Sequence, residues 1–125
     1  MSSTDFADLY RPLLKDVFIE QVRQQLSEGG DAVTFADAYA EQGKPEFALA
    51  YLLSSELPDE AKRDILARAY ERRAELSDQR ADAFDKQFHR PFPLIKLEAQ
   101  KDRATAQQVR QGKRVRREAR PLRMN

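Results

Sequence analysis

A chain of 125 residues without a cysteine can bury roughly two-thirds of its unfolded surface in one core but is too short for two. It has no thiol for a disulfide framework or a thiolate metal site. The net charge of +1 is a cancellation: residues 1–95 hold twelve Lys or Arg against eighteen Asp or Glu, a net −6, and residues 96–125 hold ten against three, a net +7.

With four Gly and six Pro, helix formers dominate the rest, and the expected fold is all-α: a small bundle of about four to five helices with an extended basic C-terminal arm. Residues 1–30 carry polar and charged groups every few positions, and no apolar run reaches a membrane-spanning length. A transmembrane segment is therefore not expected, and the cytoplasm is the expected location.

Thr4 or Ser3 is placed to cap a first turn containing Phe6, Leu9 and Tyr10, with Pro12 at an early position of a second helical start. Leu14, Phe18, Val22 and Leu26, with Leu13 and Val17 alongside, form a helical stripe that Gly29 and Gly30 stop. Asp31 then caps a short helix presenting Ala32, Phe35, Ala36 and Tyr39, and Gly43 fits its left-handed close. Pro45 opens a helix with Phe47, Ala48, Tyr51 and Leu52 on one side, which ends at Leu57 before Pro58.

Asp59 and Glu60 favour the first turn of the longest expected helix, whose periodicity runs through Ile65, Leu66, Ala69, Tyr70, Ala74, Ala81, Phe84 and Phe88. Pro91 and Pro93 flank Phe92 and end it. Two regions follow: an acidic helical bundle over residues 1–90, then residues 91–125 with an apolar anchor, a weakly amphipathic helix and the arm. Glu98 to Gln111 offers few apolar residues, Ala99, Ala104, Ala106 and Val109, and is expected to be helical but poorly buried.

Ala32, Phe35, Ala36, Tyr39, Gly43, Ala48, Leu52 and Pro58 resemble a tetratricopeptide repeat over residues 32–58. The resemblance implies a pair of antiparallel helices packed through small and aromatic positions, and a scaffold that presents a groove to a protein partner. Such arrays bury a continuous core with about three units, and one unit is present here.

Chemistry is sparse. His89 is the sole histidine and stands at a helix end, where it interacts with the last carbonyls. Asp78, Asp82 and Asp85 share one side of the long helix, but no Glu-x-x-His element accompanies them, and solvated charges opposed by Arg80 and Lys86 are the expected reading. Four scattered glycines make no phosphate loop. No catalytic, cofactor-binding or metal-binding residue is assigned, and the chain is read as a non-enzyme.

The arm is the strongest functional signal: Arg110, Lys113, Arg114, Arg116, Arg117, Arg120 and Arg123 can neutralise several phosphates. Arginine's dominance favours bidentate contacts and stacking, hence RNA or another polyanion. Phe92, Leu94, Ile95 and Leu97 are the candidate partner-binding residues. The expected function is a helical adaptor or accessory protein whose bundle binds a protein partner while the arm contacts RNA or a polyanionic surface. The alternative is a structural subunit of a larger assembly, its C-terminal segment docked on a neighbouring chain. A second copy of the chain is a further partner the sequence permits.

Overall fold

Asp5, rather than Thr4 or Ser3, caps the first helix of the computed structural model, which describes residues 5–115: its carboxylate accepts the Asp8 N–H at 2.9 Å. Helix α1 (Phe6–Tyr10) leads through a 3-10 turn at Arg11–Leu13, containing Pro12, into α2 (Asp16–Ser27). Helices α3 (Ala32–Glu41), α4 (Pro45–Leu53), α5 (Asp59–Phe88) and α6 (Pro93–Arg110) follow, and no strand occurs among the described residues.

The sequence determines these boundaries through caps and prolines. Asp31 accepts the Thr34 N–H at 3.1 Å and starts α3. Gly43, at φ +70°, closes it in the left-handed region. Pro45, Pro58 and Pro93 stand at or just before the starts of α4, α5 and α6, where a missing N–H costs nothing. His89 is the C-cap of α5 in the left-handed conformation, φ 58° and ψ 39°, its N–H donating to the Asp85 carbonyl at 2.7 Å.

One apolar core joins α1, α2, α3 and α4 to the first half of α5 as far as Tyr70, and to the end of α6 at Ala106 and Val109. Aromatic rings run through it in contact: Phe35 stacks on Tyr51, Tyr51 on Tyr39 and Tyr39 on Phe47, with Phe18 edge-on to Phe47 at 4.8 Å. In α2 the buried positions are Ile19 and Val22, while Val17 is 64% exposed. The expected stripe Leu14, Phe18, Val22 and Leu26 faces the core, and its flank is Ile19 instead of Val17.

Helices α5 and α6 form an antiparallel hairpin with a seven-residue rhythm. On α5 the seam runs Ala67, Tyr70, Ala74, Ser77, Ala81, Phe84 and Phe88, and on α6 it runs Ile95, Ala99, Asp102, Ala106 and Val109. Ala67, Ala74, Ala81, Ala99 and Ala106 are 0–2% exposed. Burial of Ala99, Asp102, Ala106 and Val109 overturns the expectation of a poorly covered segment. Small side chains let the two backbones approach closely, so few apolar atoms suffice to close the seam.

Candidate partner-docking surfaces

The far end of the hairpin gathers the apolar residues that the core does not use. Phe84, Phe88 and Phe92 form a mutual ring cluster, with centroid separations of 5.2 to 6.0 Å. Phe84 and Phe88 continue the α5 seam, and the turn after His89 folds Phe92 back onto them. Around this cluster Leu94 is 75% exposed, Phe88 52% and Leu97 46%. A shallow cleft of about 510 Å³ is lined there by Ala81, Asp85, Phe92, Leu94 and Leu97. The four partner-binding candidates Phe92, Leu94, Ile95 and Leu97 thus lie together at one end, with Phe92 and Ile95 half-buried. Phe84 and Phe88, which sequence reasoning assigned to the body, join them.

Charges along the hairpin are matched across its two helices. Lys96 of α6 reaches Asp82 at 3.0 Å and Asp78 at 3.7 Å, and Arg103 hydrogen-bonds Asp78. Asp78 and Asp82 are therefore answered by α6, and among the described residues neither pairs with Arg80 or Lys86 of its own helix as the sequence suggests. The Arg103 hydrogen bond, aided by Lys96, holds the Asp78 carboxyl below the usual range. Hydrogen bonding to Asp82 raises the Lys96 ammonium. Among the described residues, no group of three His, Asp or Glu is placed to hold a metal ion, and no helix is long and apolar enough to cross a membrane.

The arm candidates divide. Arg110 hydrogen-bonds Glu71 and lies 3.4 Å from Asp64, so its charge is engaged by α5; the Glu71 contact is the main reason its guanidinium is held above the ordinary range. Lys113 and Arg114 are exposed. The Lys113 carbonyl accepts the buried Tyr10 hydroxyl at 2.7 Å, and Val115 packs against the core, so the root of the arm is tied to α1. Arg116, Arg117, Arg120 and Arg123 lie outside the described residues.

Sequence reasoning missed a polar network between α4, α5 and α6. Arg73 donates two hydrogen bonds of 2.9 Å to Asp102 and lies 3.5 Å from Glu46, with its guanidinium 5.4 Å from the Tyr70 ring. Burial works against the Arg73 charge, yet Asp102 and Glu46 hold the group above its ordinary range. Burial pushes the Tyr70 phenol up to about 12, reinforced by Glu46. The available signal was a carboxylate at a seam position: Asp102 falls between Ala99 and Ala106 in the rhythm of α6 and needs a cationic partner there.

With this geometry in view, comparison with known proteins adds no relative: no family profile, curated protein or solved structure matches the chain.

Proposed function

We propose that the chain is a non-enzymatic helical adaptor whose hairpin end docks on a protein partner while its arginine-rich C-terminal arm contacts RNA or another polyanion. The observation that carries the first half is the exposure of Leu94, Phe88 and Leu97 beside the Phe84–Phe92 ring cluster. From Ala67 to Ala81 on α5 and from Ala99 to Val109 on α6 the helix pair closes its seam without Leu94 and Leu97. A contiguous apolar patch at the end of an element marks an interaction site, where scattered single residues would not.

The body supports this reading as a scaffold. In the tetratricopeptide-like part, Tyr39 stacks on both Phe47 and Tyr51, and Gly43 lets the α3–α4 turn approach α5 closely. For the arm, the support is charge: because Arg110 is engaged by Glu71 and Asp64, polyanion contact starts at Lys113 and Arg114 and continues through the arginines beyond.

The test is the Leu94→Asp, Leu97→Asp double variant of the full chain. Both residues are exposed, so stability should stay within about 0.5 kcal/mol of the parent, while a protein recovered with the parent under native conditions should be lost. A partner retained by the variant overturns the docking site. For the arm, log affinity for single-stranded RNA should fall with log salt at a slope of about −3.5 for five neutralised phosphates. A flat response removes the RNA half.

A further inference from the structure

A second surface, distant in kind from the hairpin end, lies where the α5–α6 seam faces the start of α2. It is a cleft of about 780 Å³, a size suited to a small organic ligand. Helical spacing explains its floor: Tyr70, Arg73, Ser77 and Arg80 recur every three or four residues along α5, and Asp102 and Thr105 do so on α6. Across from it stand Leu13, Leu14, Val17, Phe18, Leu49 and Val115, with Lys15 and Gln21 interleaved among them.

Three features of this cleft have no partner among the described residues. Ser77 is 4% exposed and lines the cleft, and its hydroxyl has no hydrogen-bond partner among the described residues. The hydroxyl oxygen is not sealed from solvent, so a molecule in the cleft can reach it. Val17, in the first turn of α2, lines the cleft and is 64% exposed, although the other face of that helix is packed. Lys15 and Arg80 line the same cleft, are exposed and make no ion pair among the described residues. Arg73 is already matched by Asp102 and Glu46, which leaves Glu98 as the carboxylate of the lining outside that network.

We infer that this cleft binds an amphipathic carboxylate, its apolar body against Leu13, Val17 and Phe18 and its anionic end held by Lys15 and Arg80, with the Ser77 hydroxyl donating to it. The class follows from the lining: Leu13, Leu14, Val17 and Phe18 offer carbon, and Lys15 and Arg80 offer two positive charges that make no ion pair among the described residues. Among the described residues of the lining, an apolar amine meets Glu98 as the carboxylate outside the Arg73 network and faces Lys15 and Arg80, so the site discriminates by charge. The inference is independent of the hairpin end.

Isothermal titration of the full chain with dodecanoate at neutral pH, below its micellar concentration, tests it, with dodecylamine as the opposite-charge control. Saturable one-to-one binding of dodecanoate and much weaker binding of the amine are expected. The Lys15→Glu, Arg80→Glu double variant changes two exposed residues and should keep its helical circular dichroism while binding dodecanoate about tenfold more weakly. Ser77→Ala should weaken binding about fivefold without loss of fold. Absence of saturable binding, equal affinity for the amine, or an unchanged affinity in both variants overturns the site. Residues 116–125 follow Val115, which lines the cleft. Binding that emerges only after their removal also overturns it, making the chain's own tail the occupant.

Discussion

The Arg73–Asp102 pair shows how a charge is kept inside a helical seam. Asp102 is 9% exposed and gives both oxygens to one guanidinium, which satisfies a carboxylate that would otherwise be stranded between Ala99 and Ala106. Arg73 is more open, at 38% side-chain exposure, so the pair is worth less than a fully buried one. Asp102→Ala should cost about 1–2 kcal/mol in urea denaturation, between the values for surface and buried pairs. A double-mutant cycle with Arg73→Ala should show that the two losses do not add. Tyr70, beside this pair, sets an alkaline limit. Its phenol is raised to about 12 in the folded protein, against roughly 10 when unfolded, so the proton is held more tightly in the fold. This contribution is intact below pH 10 or so and is lost as pH rises through about 12. Stability of the parent should therefore fall over that window, and Tyr70→Phe should flatten the fall; an unchanged profile would show that Tyr70 does not govern it.

At the scale of elements, the junctions carry more of the fold than the helices' own preferences. Gly43 holds φ +70°, and a Cβ there would stand 3.0 Å from the Arg73 backbone nitrogen and Cα. Gly112 has nearly the same φ, +71°, but its nearest neighbour would be an Arg63 side-chain atom at 3.9 Å. Gly43→Ala should thus cost about 2–3 kcal/mol, backbone strain plus displacement of α5, and Gly112→Ala about 1 kcal/mol from strain alone, read as shifts in the thermal midpoint. The same contrast explains what was legible in the sequence. Prolines at 45, 58 and 93 announce helix starts and Asp31 and Gly43 the limits of α3, because a cap or a missing N–H acts within one turn, whereas α4 ends at Leu53, four residues short of the Leu57 that Pro58 suggests. The stripe Leu14, Phe18, Val22 and Leu26 was legible and faces the core, but its flank was not: Ile19 is buried and Val17 is exposed although the two are equally apolar by type. Nor was the burial of α6, since alanines read as weak apolar signals until a partner helix of matching rhythm is set against them. For the candidate sites, the apolar segment after Pro93 was visible as Leu94, Ile95 and Leu97. Its union with Phe84 and Phe88, and the cleft around Ser77, depend on pairings across the hairpin that no local pattern encodes.

Across the whole molecule, cohesion is graded along the α5–α6 hairpin. Near Leu66 the two helices share the core with α1, α3 and α4, and Val109 closes that region from α6. Toward the turn the hairpin relies on Ala81, Ala99 and the ring cluster, bounded by the exposed ion pairs of Asp78 and Asp82 with Lys96 and Arg103. Exposed pairs of this kind contribute at most about 1 kcal/mol each and weaken with salt. The distal end should consequently open as a unit before the core does. Native-state hydrogen exchange, corrected for intrinsic rates, should give lower opening free energies for residues 82–100 than for 62–70, and the gap should widen in high salt. Acid acts in the same direction. The Asp78 carboxyl is depressed by its hydrogen bond from Arg103, so the stability it confers is present above the ordinary carboxylate pKa and is lost as pH falls through the lower folded value. Asp78→Asn removes that charge, and should leave distal exchange faster at neutral pH and less sensitive to acid. Uniform opening along α5 in both proteins would contradict the gradient. It would also leave the apolar end held more firmly than its own contacts allow, whereas a graded hairpin lets the Phe88 and Leu94 surface adjust to a partner without disturbing the core that anchors it.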